Sequence, residues 1–228
     1  AEARHLLNRT GFGASPVEIE RFARMDYAVA VDALLAGARR EPRTPPPSWV
    51  LEPPPDPREI KRGEREDRKA FREIMRERGR ELKAWWYREL LDTDSPLTER
   101  MTLFWHNHFT SDLRKARWPT LMYRQNLLLR RHALGDFRAL IQGVAKDPAM
   151  ILYLDNQTNR KAKPNENFAR ELMELFTLGE GHYGERDIQE AARAFTGWAV
   201  NRRTGKFQLR RGRHDAGVKS VLGETGEF

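Results

Sequence analysis

Two histidines one residue apart stand inside an aromatic frame, Trp105-His106-Asn107-His108-Phe109, at the end of an apolar run of Met101, Leu103 and Phe104. Histidine is the commonest metal ligand and the side chain that titrates closest to neutrality. A catalytic metal wants about three protein ligands and an open position. Glu171 and Glu174, three apart in one helical stretch, and His214 or Asp215 near the end of the sequence are the candidates to complete such a set. The chemistry expected of His106, His108 and one of those acids is a divalent ion, zinc or similar, activating a water for hydrolysis. Without a metal, His106 or His108 serves as a general base oriented by Glu171.

Geometry limits that reading. In a continuous helix residues i and i+2 lie about 200° apart, so both rings face one ion only if the helix ends near His106. Asn107, Thr110, Ser111 and Asp112 weaken the helix there and permit it. The plainer alternative has one histidine packed in the aromatic core against a main-chain carbonyl and the other capping the helix end. No serine stands in a nucleophile elbow. Asp155, Gln157, Asn159 and Glu166 fall in a calcium-loop register, but Arg160 occupies the glycine position and Lys161 and Lys163 add the wrong charge. Asn156, Asn159, Asn165 and Asn167 fit better as turn formers and helix caps.

A third constellation is electrostatic. Arg202, Arg203, Lys206, Arg210, Arg211 and Arg213 run without an acid until Asp215, a stretch suited to an acidic polymer. Phe207 is its one central aromatic, which gives base stacking little support, and nucleic-acid motifs are absent. Elsewhere the charges are mixed, as in Arg62-Gly63-Glu64-Arg65-Glu66, the pattern of a solvated helix face.

The elements that must position these residues read as mainly α, an irregular multi-helix bundle with a Pro-rich arm and a small β-hairpin near the C-terminus. Residues 1–40 form short helices, one opened by the capping box Ser15-Pro16-Val17-Glu18, one over 27–36 stopped by Gly37. Residues 41–57 carry eight prolines and form a linker or arm, with Trp49, Val50 and Leu51 to pin it. Residues 58–228 form a helical core, one domain with 1–40. A long charged helix spans 58–91 and gains an apolar stripe only in its second half. Helices follow from Ser95-Pro96, at 118–133, 136–146, 149–154, 165–178 and 185–196. A hairpin closes the pattern at about 198–213, with its turn at Thr204-Gly205. The arm and the charged first half of the long helix, 41–80, are the expected contact with a protein partner.

The 228 residues carry a net charge of +8 with no cysteine. Disulfides, thiolate zinc sites and cysteine nucleophiles are therefore excluded. No run of about 18 apolar residues exists, so no transmembrane segment is expected. Ala1 opens directly on helix-like sequence, without a visible signal peptide.

Three blocks carry a family resemblance: Arg4-His5-Leu6-Leu7-Asn8-Arg9-Thr10-Gly11-Phe12-Gly13; Phe104 through Phe109; and Asp147-Pro148-Ala149-Met150 through Asn165-Glu166-Asn167-Phe168-Ala169-Arg170-Glu171-Leu172 to Phe195-Thr196-Gly197-Trp198. Together they resemble the bacterial domain-of-unknown-function 1800 family, whose pattern continues past the point where this sequence stops. The resemblance implies a mostly helical protein that is periplasmic or extracellular, and it carries no activity. Three functions are therefore expected: a metal-assisted hydrolase or its accessory acting on an envelope polymer, a non-catalytic helical scaffold subunit, or a polyanion-binding module.

Overall fold

A computed structural model describes residues 1–55, 60 and 62–228. The expected helix start at 58 and the proline at 57 lie outside the described residues. Among the described residues there are eleven α-helices and two antiparallel hairpins, so the chain is mainly α. No helix among them is long and apolar enough to cross a membrane.

Helices α1 (Glu2–Thr10), α2 (Pro16–Ala23) and α3 (Tyr27–Ala36) enclose a small cluster of Leu6, Leu7, Phe22 and Ala30. The Ser15–Glu18 capping box forms as the sequence predicts. Helix α3 is apolar around most of its circumference but buries only Ala30, leaving Tyr27, Val29 and Leu35 exposed.

The proline segment is a strap pinned by Trp49 and Val50, while Leu51, expected to join them, is exposed. The Arg43 and Thr44 backbone amides donate to the Glu89 carboxylate at 2.9 and 2.6 Å. A 3-10 turn over Ser48–Leu51 drops Trp49 and Val50 into a cluster with Trp85 and Tyr123. Proline cannot donate to a ladder, so the segment takes its anchorage from side chains instead.

The strap lies on α4 (Arg65–Asp92), whose second half buries Trp85 and Glu89. Helix α5 (Pro96–His108) follows, then the short α6 (Leu113–Ala116), α7 (Pro119–Arg131), α8 (Phe137–Ala145) and α9 (Pro148–Tyr153). The central core gathers Phe109, Leu129, Leu140, Val144, Met150, Leu154, Phe168 and Phe176. Asp112, Asp136 and Asp147 cap α6, α8 and α9 through their side chains, satisfying amides that would otherwise lack partners.

Helix α10 (Asn167–Glu174) is shorter at both ends than the 165–178 expected. The Gly179 amide reaches back to the Met173 carbonyl, and Gly179 at φ +80° closes the turn that follows the helix. Helix α11 (Glu185–Ala194) packs Ile188, Ala191 and Ala192 against α10. Strands β1 (Trp198–Val200) and β2 (Phe207–Leu209) make the expected hairpin, with Ala199 opposite Gln208. A second hairpin, β3 (Lys219–Val221) with β4 (Glu224–Gly226), was not anticipated. Its three-residue strands are too short for alternation to announce them.

Candidate functional site

Helix α5 runs unbroken through both histidines and ends at Phe109, so the extended turn that would bring the rings together is not formed. The residues expected to weaken it act one step later: Asp112 accepts the Lys115 amide at 2.8 Å and starts α6. His106 therefore packs edge-on against Trp86, with centroids 5.1 Å apart. Burial pushes its pKa below the ordinary histidine value. The His108 Nε2 bonds the Phe176 carbonyl at 3.0 Å, and its ring stacks beside Phe104 and edges onto Trp105 and Phe109. The two imidazoles thus serve different neighbours.

The acids stand apart from one another in use. Glu174 accepts the Tyr183 hydroxyl at 3.1 Å. Glu171 is half-buried on α10, and its main-chain carbonyl receives the Leu175 and Phe176 amides. Asp215 is bound by Arg193 at 2.8 Å, which with the Gly217 amide holds its carboxyl down at about 2. The neighbouring His214 Nδ1 lies 2.9 Å from the Thr196 carbonyl. Among the described residues, no group of three or more His, Asp or Glu side chains is arranged to hold a metal ion.

The 155–166 loop follows its structural reading. Asn159 is buried; its Nδ2 donates to Asn156 Oδ1 and the Ala192 carbonyl, and its Oδ1 accepts the Asn165 amide at 2.9 Å. Asn167 Nδ2 donates to the Leu154 carbonyl, and Asp155 pairs with Lys115 at 2.9 Å. These groups pin turns and leave little ligating capacity for calcium.

Two buried polar networks were missed from sequence. Arg130 on α7 lies between Glu89 and Glu99, all three within the interior, and also reaches Asn126 Oδ1 at 3.2 Å. Burial lowers the Arg130 guanidinium to about 10, against the opposing pull of Glu89 and Glu41. Burial alone would raise the Glu89 carboxyl, but hydrogen bonds from Thr44 and Arg43 and the Arg130 charge hold it low. The second network is a chain: Ser111 Oγ donates to Gln125 Oε1, and Gln125 Nε2 donates to Asp147 at 2.9 Å. Burial pushes the Asp147 carboxyl up to about 7, although the Met150 amide and Gln125 both favour its charge. Asp147-Pro148 ahead of an apolar run was the legible signal for the cap; nothing local announced Arg130.

What the histidine block does assemble is a surface. Phe104, Leu134, Phe137 and Leu175 are 52%, 44%, 42% and 60% exposed. Trp105 joins them: its ring lies 4.9 Å from Phe104 and 5.8 Å from Phe137, and its Nε1 bonds the Ala133 carbonyl beside Leu134. On the inner side His108 meets the buried Phe176, whose chain neighbour Leu175 is exposed.

Residues 5–228 match the family described as Protein of unknown function (DUF1800). The chain belongs to the DUF1800 family. No curated protein and no solved structure matches it. In this DUF1800 chain the tryptophan–histidine block, one of the segments that carried the resemblance, lies on the aromatic face just described.

Proposed function

We propose that this DUF1800 protein is a non-catalytic helical interaction subunit that docks a partner protein through the aromatic face of α5, α8 and the turn after α10. The observation that carries the reading is the exposure of Phe104, Phe137, Leu134 and Leu175 around Trp105 and His108. Large apolar side chains clustered at a surface, as opposed to scattered singly, mark contact sites. Aromatic anchors are the side chains that carry most binding energy in protein interfaces. The partner is expected to present aliphatic or aromatic groups, since the face itself offers one imidazole and no carboxylate bond. The reading also uses what the other reactive-looking residues do. Glu89, Glu99, Arg130 and Asp147 brace the interior, and His106 fills space beside Trp86.

The test is affinity capture from the producing cells with wild type and a Phe104→Glu, Leu175→Glu variant, each with and without chelator. The expected result is one partner recovered in near-equal amount by wild type, lost by about tenfold or more in the variant, and indifferent to chelator. Equal recovery by both proteins removes the face from the function. Recovery that depends on metal restores a metal-centred reading.

A further inference from the structure

The basic hairpin is half of a larger basic surface. The turn at 160–163, closed by the Lys163 amide on the Arg160 carbonyl, is tied to the 210–213 turn by the Lys161 amide on the Arg213 carbonyl at 2.8 Å. Gly197 locks the junction. Its amide donates to the Asn159 carbonyl and its carbonyl accepts the Arg210 amide. Its φ is +78°, and a Cβ there would come within 2.7 Å of the Arg210 carbonyl, so the two turns approach as closely as a glycine allows.

The result sets Arg160, Lys161 and Lys163 beside Arg210, Arg211 and Arg213, with Arg202 close enough to Arg210 to oppose its charge. None of these seven forms an ion pair with a described residue. The nearby carboxylates are already engaged, Asp155 by Lys115 and Asp215 by Arg193. Holding like charges together without counter-ions is unfavourable, and an anionic ligand relieves it.

The surroundings select the kind of anion. Trp198 is packed edge-on by both Phe195 and Phe207 and lies under Lys146, which leaves Phe207 as a single ring and no run of stacking platforms. The hairpin tip cannot enter a DNA groove, because Gly205 abuts Pro54 and Arg124 holds the Thr204 and Gly205 carbonyls. Within the 198–213 segment Leu209 is exposed and Phe207 half-buried, a small apolar area for inserting into lipid. What remains is a row of guanidinium and ammonium donors suited to sulfate or carboxylate oxygens.

We infer that the joined turns 160–163 and 210–213 form a composite site for an anionic polysaccharide. None of its residues belongs to the aromatic face.

Titration calorimetry with heparin and with polygalacturonate, in low and physiological salt, tests it. The variants are Arg160→Glu, Lys161→Glu, Lys163→Glu together, and Arg211→Glu, Arg213→Glu together; all five side chains are exposed. A control reverses Arg65, Arg68 and Arg72 on α4. Circular dichroism and thermal midpoint report that each variant is folded. Each turn variant is expected to lose about tenfold or more in affinity while the control keeps it, and wild-type affinity falls steeply with salt. Binding of either polymer in this pattern supports the site, and the tighter one identifies its anion. Equal weakening by the control makes the attraction a property of net charge and overturns the site. So does the absence of binding to both polysaccharides, or tighter binding to single-stranded or duplex DNA at the same salt.

Discussion

At the residue scale, the buried charges brace one another. Arg130 neutralises two carboxylates that have been taken out of water. Breaking a buried ion pair from one side leaves charge uncompensated, at a cost of about 3–5 kcal/mol. Arg130→Ala is therefore expected to lower unfolding free energy by that order in a denaturant titration, since Glu99 loses its partner while Glu89 keeps only the Arg43 and Thr44 amides. Replacing Arg130 and Glu99 together by apolar residues of similar size, with Glu89 left to the Arg43 and Thr44 amides, is expected to recover part of the loss. Asp147 gives a pH signature of opposite sign to a salt-bridged acid. Its folded carboxyl titrates at about 7, above the ordinary 3.8. Between those values the folded state holds a proton that the unfolded state has released, so this group's contribution falls as pH rises from 4 to 7. The slope is at most about 1.4 kcal/mol per pH unit. Asp147→Asn is expected to match wild type near pH 4 and exceed it progressively toward pH 8 by thermal or urea unfolding. Parallel wild-type and variant curves across that range would contradict a neutral buried acid.

At the element scale, the proline segment is held as a strap along α4 by Trp49 and Val50. A free arm would tolerate loss of its aromatic; a strap would not. Trp49 lies buried against Trp85 and Tyr123, so Trp49→Ala is expected to destabilise the whole domain by about 3–5 kcal/mol, measured as a shifted denaturant midpoint with unchanged slope. The helices themselves were legible because their caps and apolar spacing are local: Ser15-Pro16, Asp136, Asp147-Pro148 and the stop at Gly37 lie where the chain turns. The strap was half-legible, since its prolines excluded regular structure while Trp49 and Val50 marked a pin. Its docking rests on Glu89, 45 and 46 residues away from the amides it holds, which no local pattern encodes. The relation of the two histidines was illegible for a similar reason. Whether His106 and His108 converge turned on one turn of helix, and Asp112 was used to start α6 instead of unwinding α5. The joining of 160–163 to 210–213 runs through main-chain atoms and a glycine at positive φ; the basic residues could be counted in sequence, but their meeting could not.

At the scale of the whole molecule, the chain presents separate surfaces around one braced interior. The N-terminal helices expose the apolar flank of α3, the two basic turns crowd the C-terminal hairpins, and the tryptophan–histidine block opens onto the aromatic face. An interior whose ionisable groups are matched to one another, together with apolar side chains left at the surface, fits a protein that works by contact. The claim that this contact falls on the aromatic face is tested most directly by hydrogen–deuterium exchange of the protein alone and in complex with its captured partner. Amides of the α5 C-terminus, the 133–141 segment and the 172–178 turn are expected to slow on binding. Unchanged exchange in all three, with slowing elsewhere, would contradict the account.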